Sequence, residues 1–517
     1  MITLLRVSLA LLCLTFGARP AAALDARVIF EASVRTLAPA ANAPAIKLSI
    51  DPTTKLVNGA TAGDNRYVYE DYRRAGDALQ PQRISTSRGT RLRIGILPDS
   101  SIEEVSAPRT LDLGGARVVG GPAELAQGID LRRRAHRWVS GWSAAPDQEG
   151  PPVSGKTIRQ IVRGSIGGSS VRLRLSNLFG TGPITIGPVS VAHGAGESAI
   201  QPGTDRAVTF GGQPTVTIAQ GADILSDPVA FPVAALEQIA ISLYVVDSGK
   251  ASTWHGVGMQ TAYIANGDVT TATKLAGSET DSSRYFLTDM EVAATADART
   301  IVVIGDSITD GVGSALDGNR RWPDALAERL QADPALASIA VVNSGIAGNR
   351  LLNDASSPFV GPSMLSRFER DVLSKPGIRW IVLLSGSNDI SAADMLDTQR
   401  DKVSATQIIA GMQQIIARAH AAGIKVYGAT LLPKAGVQKP FVHTPEARAK
   451  RNEVNAWIRT SGEFDAVVDF ERLMGDPARP DHLAPAYDSG DHLHPNDAGY
   501  EAMAAAIDLQ VFRETTK

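Results

Sequence analysis

Residues able to carry out nucleophilic catalysis are spread over the C-terminal half of the chain. Such catalysis needs an activated hydroxyl, a base within hydrogen-bonding reach, a group that orients the base, and donors for the oxyanion. Ser307 could supply the hydroxyl, His494 the base and Asp491 the carboxylate that orients it. Gly348 and Asn388 each follow an apolar run and could present further donors to the oxyanion. Together these residue types favour acyl transfer through a serine.

Each of these residues also has a purely structural interpretation. Ser307 could cap the helix that follows it, Gly348 could be an ordinary turn glycine, and Asn388 could form an Asx-turn or a helix cap. Gly345 is as able as Gly348 to turn an N–H outward, so the sequence leaves open which of the two glycines faces the oxyanion.

Two histidines compete for the role of base. His494 lies three positions after Asp491 and directly before Pro495, so a single turn of chain lets the carboxylate reach its imidazole. His492 is the rival. The same segment also offers plausible metal ligands, namely Asp488, Asp491, His492 and His494. The sequence has no HExxH pattern and no second dense cluster of ligands, so neither a metal nor another cofactor is predicted.

From residue 301 onward, short apolar runs rich in β-branched residues alternate with helical patterns. The runs cover residues 301–304, 339–342, 380–384, 424–429 and 466–470, and the helical patterns cover 323–331, 363–373, 403–421, 445–459 and about 496–509. This alternation predicts a parallel sheet covered on both faces, with a flavodoxin-like doubly wound order. The candidate residues follow strands or precede the last helix, which places them at the carboxyl edge of the sheet.

The preceding region has the pattern of an all-β module. Between residues 136 and 265, alternating runs such as 171–176 and 239–245 are separated by turn residues at short intervals, which predicts a β-sandwich or jelly roll. Residues 266–299 read as a connecting stretch that contains a last strand. Residues 24–134 give a weaker pattern, with strands expected at 91–97 and 116–119.

Four sequence blocks resemble, in order, those of the SGNH (GDSL-type) hydrolase family. They are Gly305-Asp306-Ser307, the Gly348 segment, Gly386-Ser387-Asn388-Asp389 and Asp491-His492-Leu493-His494. The resemblance implies a flavodoxin-like α/β/α fold and ester hydrolysis through a serine acyl-enzyme. It implies Ser307 as nucleophile, His494 as base and Asp491 as its orienting group, with Ser307, Gly348 and Asn388 forming the oxyanion hole.

This chain departs from the family pattern at one position, and it lacks the motif of the α/β-hydrolases, the rival family. Family members often carry Gly-Asp in the second block, where this chain has Gly348-Asn349. The nucleophile-elbow pattern of α/β-hydrolases, Gly-x-Ser-x-Gly, is absent because Thr309 stands two positions after Ser307. The all-β region is similar, more loosely, to N-terminal modules of some secreted bacterial SGNH hydrolases.

Composition and the N-terminus indicate an exported globular protein. The chain has 517 residues, is 44% hydrophobic and carries a formal net charge of -3, with no block of like charge that would suggest nucleic-acid binding. Residues 1–23 have the pattern of a secretory signal peptide and contain the only cysteine, Cys13. No later apolar run is long enough for stable membrane insertion. A secreted or periplasmic location is therefore expected, and the oligomeric state is left open.

These observations predict four segments: the signal peptide 1–23, a weakly defined β-containing region 24–134, a β-sandwich module and linker 135–298, and an SGNH catalytic domain 299–517. The predicted function is an exported serine ester hydrolase for acetyl or short-chain acyl esters, with carbohydrate-linked esters favoured because export and an attached β-module accompany the catalytic domain. The alternatives are a lipase or acyltransferase of the same fold, and an inactive carbohydrate-binding surface protein.

Overall fold

The structure, a computed structural model, describes five strands between residues 46 and 93, and residues 136–354, 360–396, 401–438 and 440–513. It divides into two units, residues 1–136 and 137–517. The predicted signal peptide with Cys13 and the strand expected at 116–119 lie outside the described residues.

The described strands of the first unit form one antiparallel sheet in which each strand pairs with the next along the chain. They are β1 (Ile46–Ile50), β2 (Val57–Ala62), β3 (Asn65–Ala75), β4 (Ala78–Thr86) and β5 (Arg91–Arg93). The run expected at 91–97 thus begins as a strand.

The second unit begins with a strand-rich module, as the alternating sequence pattern predicted. Its strands are β6 (Arg137–Ser143), β7 (Gln148–Gly150), β8 (Lys156–Arg163), β9 (Gly168–Ser176), β10 (Ile184–His193), β11 (Arg206–Val208), β12 (Val216–Ile218), β13 (Asp223–Leu225), β14 (Val229–Val233), β15 (Gln238–Asp247), β16 (Ser252–His255), β17 (Ala262–Asn266), β18 (Glu279–Asp281), β19 (Arg284–Tyr285) and β20 (Leu287–Ala294).

Two antiparallel sheets of this module share one hydrophobic core. One sheet has the order β11-β10-β15-β8-β17-β18, with β12 also paired to β10, and the other has the order β13-β9-β20-β6, with β14 also paired to β9. Apolar residues of both sheets belong to the same buried cluster. The stretch 266–299 contains β20, which lies between β9 and β6 and is therefore an inner strand. Strands β19, β16 and β7 form a small third sheet.

The C-terminal part of the unit is built on a parallel sheet, which confirms the predicted α/β fold. Its strands are β21 (Arg299–Gly305), β22 (Ile339–Asn343), β23 (Ile378–Leu384), β24 (Lys425–Ala429) and β25 (Ala466–Val468). Their order is β22-β21-β23-β24-β25, and every pairing is parallel. This is the flavodoxin-like order, in which the chain reverses direction beside the first strand. All residues of β21 from Thr300 to Gly305 are buried, as expected for a strand covered on both faces.

Helices connect these strands close to the predicted positions. They are α1 (Ser307–Asp310), α2 (Trp322–Ala332), α3 (Met364–Phe368), α4 (Ser387–Leu396), α5 (Ala405–Ala421), α6 (Pro445–Thr460), α7 (Phe470–Met474) and α8 (Asp497–Ala505), with 3-10 turns at Pro440–His443 and Leu509–Phe512. The predicted helix 363–373 is α-helical only in α3 and continues as a π-helix, Glu369–Leu373. Strands β26 (Gly475–Asp476) and β27 (Arg479–Leu483) form a hairpin before the last helix.

The strand-rich module packs against the edge strand β22 of the parallel sheet. Ser165 Oγ accepts a hydrogen bond from Val341 N–H at 3.0 Å, and Ser143 Oγ donates to Asn343 O at 2.9 Å. Ala340 of β22 belongs to the hydrophobic core of the module. The module therefore covers an edge that would otherwise expose unpaired backbone groups. In the described part of the chain, no helix has the length and apolar character needed to cross a membrane.

Candidate active site

The nucleophile candidate lies at a sharp turn from β21 into α1. Asp306 caps the helix by accepting a hydrogen bond from Ile308 N–H at 3.1 Å, so Ser307 is the first residue of the helix and its hydroxyl is not used as the cap. Gly305 is required by packing, because a Cβ there would lie 2.1 Å from Thr309 Oγ1 and 2.7 Å from the backbone oxygen of Leu384. The turn thus leaves the Ser307 hydroxyl free to face the C-terminal segment.

Ser307, His494 and Asp491 form a continuous line of hydrogen bonds. His494 Nε2 lies 2.8 Å from Ser307 Oγ, and His494 Nδ1 lies 2.5 Å from Asp491 Oδ2. Because a carboxylate only accepts, Nδ1 carries a proton and Nε2 of the neutral ring is left to accept from the serine hydroxyl. This is the arrangement needed for a base that removes the serine proton.

The carboxylate of Asp491 is held in its ionised form. It accepts hydrogen bonds from the backbone N–H groups of Leu493 and His494 at 2.9 and 2.8 Å, in addition to the bond with the His494 ring. Burial opposes ionisation, but these hydrogen bonds outweigh it and hold the pKa of Asp491 well below its usual range. Asp491 therefore carries the negative charge that an imidazolium at His494 requires.

His492, the rival base, belongs to a separate pair. Its Nδ1 lies 2.5 Å from Asp488 Oδ2, and its backbone has a φ of 64°. Among the described residues its ring makes no hydrogen bond to Ser307, and the side chain is 47% exposed. The structure thus brings His494, and not His492, to the serine. The four proposed metal ligands of this segment divide into these two Asp–His pairs, and no set of three or more ligating side chains occurs in the described ranges.

The two candidate glycines differ in what their N–H groups do. Gly345 N–H donates to Asn343 Oδ1 at 2.8 Å and is therefore occupied. Gly348 adopts a left-handed backbone with a φ of 73°, and a Cβ there would lie 2.4 Å from Val360 Cγ1. Among the described residues, neither the N–H of Gly348 nor that of Ser307 has a hydrogen-bond acceptor. The structure therefore favours Gly348 over Gly345 as an oxyanion donor.

Asn388 lies against the Gly348 loop. It is the second residue of α4, and its Nδ2 donates to the backbone oxygen of Asn349 at 3.0 Å, which leaves one further N–H on the amide. The next residue, Asp389, is buried and accepts from Leu351 and Leu352 N–H at 2.8 and 2.9 Å. The Asn388-Asp389 pair therefore fixes the loop that carries Gly348.

Arg367 is a supporting residue that the sequence analysis did not identify. Its fully buried guanidinium donates to Gly305 O at 3.3 Å, to Ser344 O at 2.8 Å and to Asn349 Oδ1 at 2.9 Å. It thereby joins the nucleophile turn to the loop that follows β22. The only signal in the sequence is one arginine within a helical pattern, which does not distinguish it from a surface residue.

Lys434 is a second supporting residue without a sequence signal. It follows β24, and its buried ammonium donates to Ser387 Oγ at 3.1 Å and to Ser391 Oγ at 2.8 Å. Burial lowers the pKa of Lys434 to about 8, and the nearby Asp306 carboxylate opposes this shift. Lys434 thus fixes the start of the helix that carries Asn388.

Comparison with known proteins identifies a family for the part of the chain that contains these residues. Residues 303–502 match the family model of the GDSL-like Lipase/Acylhydrolase family. No curated protein sequence matches the chain.

Three of the solved structures that resemble the chain are esterases or lipases. A GDSL-like lipase from Bacteroides thetaiotaomicron is 20% identical with a TM-score of 0.31, and the match covers 41% of this chain and 88% of the lipase. A catalytic mutant of an acetylxylan esterase from Geobacillus stearothermophilus is 23% identical with a TM-score of 0.32, and the match covers 41% of this chain and 93% of the esterase. The aryl esterase of M. smegmatis is 18% identical with a TM-score of 0.33, and the match covers 42% of this chain and 99% of the esterase. Residues 303–502 therefore carry a domain of the GDSL-like Lipase/Acylhydrolase family.

Proposed function

We propose that this protein hydrolyses carboxylic esters through an acyl-enzyme on Ser307. Ser307 Oγ attacks the ester carbonyl while His494 Nε2 takes the hydroxyl proton, and Asp491 stabilises the resulting imidazolium. His494 then gives this proton to the leaving alcohol. A water molecule, deprotonated by His494, attacks the acyl-enzyme, and collapse of the second tetrahedral intermediate releases the acid and regenerates Ser307.

The oxyanion of each tetrahedral intermediate would be bound by three donors. They are the backbone N–H groups of Ser307 and Gly348 and the Nδ2 of Asn388, which follow β21, β22 and β23. Loss of one such donor typically lowers kcat by about 10²- to 10³-fold. The single observation that carries the proposed mechanism is the hydrogen-bonded line from Asp491 through His494 to Ser307, with distances of 2.5 and 2.8 Å.

We infer acetyl or short-chain acyl esters of carbohydrates as the substrate class. The support is the expected export of the protein together with the strand-rich module, which we take to be a β-sandwich, beside the catalytic domain. The same active site could pass the acyl group to another alcohol in place of water. Product analysis in the presence of acceptor alcohols separates hydrolysis from transfer.

The test is a panel of nitrophenyl esters of increasing acyl length and of acetylated polysaccharides, combined with labelling by a fluorophosphonate. Ser307→Ala should abolish labelling and lower kcat by roughly 10⁴- to 10⁶-fold. Ser374→Ala is the matched control, because this exposed hydroxyl only donates to Arg370 O. A folded wild-type protein that is neither labelled nor active on any ester would refute the proposal and favour an inactive binding protein.

We also propose that the protein is exported and that residues 1–23 are removed. The support is the sequence pattern of these residues alone. N-terminal sequencing of the protein recovered from the periplasm or the medium should begin near residue 24. Recovery from the cytosol with Met1 intact would contradict it.

A further inference from the structure

His255 of the strand-rich module contacts the helix that begins with Ser307. It is the last residue of β16, and its ring is almost fully buried against α1. His255 Nδ1 lies 2.7 Å from Ala145 O, and Nε2 lies 3.1 Å from Asp310 Oδ1 and 3.0 Å from Val257 O. All three partners are acceptors, so both ring nitrogens must donate and the ring is an imidazolium.

Asp310 connects this imidazolium to two parts of the proposed active site. It is the last residue of α1, and its N–H donates to Asp306 O at 2.9 Å. Its second carboxylate oxygen, Oδ2, accepts from Ala347 N–H at 2.8 Å. Ala347 directly precedes Gly348, the proposed oxyanion donor. One carboxylate therefore ties the helix that begins with Ser307 to the loop that carries Gly348, and its hydrogen-bonded ion-pair partner, His255, comes from the module.

A second line of contacts runs from the module to the same place. Ser143 Oγ donates to Asn343 O at 2.9 Å. The Asn343 side chain in turn donates to Thr309 O at 2.7 Å and accepts from Gly345 N–H at 2.8 Å. Both lines start on the module and end within three residues of Ser307 or Gly348, so part of the interface with the module lies at the catalytic edge.

We propose that the strand-rich module completes the active site, with His255 as a positioning residue that holds Asp310 and, through it, orients the Ser307 helix and the Gly348 loop. This inference rests on the proposed function. Without the imidazolium, the Asp310 carboxylate would be buried with no counter-ion at Oδ1, which is strongly unfavourable. The carboxylate would move or take up a proton, and Ala347 N–H would lose its fixed acceptor.

The test compares two buried ion pairs that both join the module to the catalytic domain. One is His255–Asp310, and the other is Asp289–Lys375, in which Lys375 Nζ lies 2.8 Å from Asp289 Oδ2. Lys375 precedes β23 and so lies at the amino ends of the strands, away from the catalytic edge. In the full chain, His255→Ala and Lys375→Ala should both lower Tm. Only His255→Ala should lower kcat and the rate of fluorophosphonate labelling, by roughly 10- to 100-fold with KM little changed.

A double-mutant cycle gives a second measurement that does not depend on the alanine variant. His255→Gln removes the cation beside Asp310 Oδ1, Asp310→Asn removes the carboxylate charge, and the double variant removes both. The double variant should recover part of the kcat lost by His255→Gln alone. The positioning role would be overturned if the kcat losses of the two single variants simply added in the double variant. It would also be overturned if His255→Ala lost no kcat, or lost the same factor in kcat as Lys375→Ala.

The proposed function and this inference fail in different ways. A wild type without Ser307-dependent labelling or ester hydrolysis refutes the proposed function. A wild type with both, whose kcat is insensitive to His255, refutes the positioning role alone.

Discussion

Asp491 and Asp488 each form a similar pair with a nearby histidine, but only the histidine of Asp491 is hydrogen-bonded to Ser307. Each lies 2.5 Å from the Nδ1 of a nearby histidine, and each accepts backbone N–H groups of the same segment. The histidine of Asp491 continues to Ser307, whereas that of Asp488 is half-exposed. The effect of removing the charge should therefore separate a catalytic pair from a structural pair.

We expect Asp491→Asn to lower kcat by roughly 10²- to 10⁴-fold, because an amide favours the wrong tautomer of His494 and does not stabilise the imidazolium. Asp488→Asn, the matched control, should leave kcat close to that of the wild type. Both are measured with one nitrophenyl ester at one pH. Similar losses in the two variants would contradict the assignment of the base to His494.

The residues of the hydrogen-bonded line from Asp491 to Ser307 could be brought together from the sequence because each lies in a short local pattern. Ser307 follows an apolar run, and Asp491 and His494 lie within a single turn of chain. Arg367 could not be predicted in this way, since its backbone partners Gly305 and Ser344 are 62 and 23 residues distant. The sequence also left Gly345 and Gly348 equivalent, because only the fold shows that Asn343 occupies the N–H of Gly345.

The loop after β22 is the element that departs from the family pattern, and its contacts explain the departure. Buried Asn349 accepts from the Arg367 guanidinium and donates through Nδ2 to Val360 O and Pro362 O, both at 2.8 Å. An aspartate could accept from Arg367 but could not donate to two carbonyl oxygens. This chain therefore requires the amide at the position where relatives often carry a carboxylate.

We expect Asn349→Asp to lower the free energy of unfolding by about 1–3 kcal/mol, because a carboxylate oxygen would face two carbonyl oxygens. Since the loop carries Gly348, kcat should also fall, by about tenfold or more. Chemical denaturation and ester kinetics measure the two effects. The exposed Asn452→Asp is the control for a change of amide to carboxylate. Unchanged stability and kcat in Asn349→Asp would show that Val360 and Pro362 do not need the donor.

At the scale of the whole molecule, the module and the catalytic domain share one interface along β22. The sequence could predict a strand-rich part and an α/β part, because each has its own period of apolar residues. It could not predict their contact, since the partners Ser143 and Asn343 are 200 residues apart. His255 and Asp310 are likewise 55 residues apart and lie in parts of the chain with different patterns.

The buried His255–Asp310 pair gives the stability of this interface a pH dependence of definite sign. Burial alone would lower the pKa of His255, but the Asp310 carboxylate outweighs it, helped by Asp147 and Ala145 O, and raises the pKa from 6.5 to about 9. Above pH 6.5 the folded protein therefore holds a proton that the unfolded chain releases. The stabilisation, roughly 3 kcal/mol, is complete below pH 6.5 and is lost as the pH rises through 9.

Other charged groups around the pair have to be separated from this effect. Burial raises the pKa of Asp147 to about 6, so its titration lies mostly below the His255 window. The guanidinium groups of Arg284 and Arg321 line the same cavity. Burial lowers the pKa of Arg284 to about 9, whereas for Arg321 the Asp324 carboxylate outweighs burial and raises the pKa. Lys434 acts in the opposite direction, because burial lowers its pKa from 10.5 to about 8. Its contribution to the free energy of unfolding therefore increases as the pH rises from about 8 to 10.5. The change of unfolding free energy with pH in the wild type alone therefore understates the contribution of His255.

The contribution of His255 is obtained by comparing how the free energy of unfolding changes with pH in the wild type and in a variant without the imidazole. Denaturation of the wild type and of His255→Gln at pH 6.5 and pH 9.5 should show a larger loss of stability with rising pH in the wild type, by about 3 kcal/mol. The stability gap between the two proteins should thus be widest at pH 6.5 and should close towards pH 9.5, because glutamine has no proton to release. Parallel profiles would mean that His255 is neutral in the folded protein, and Asp310 would then have no hydrogen-bonded cation from the module.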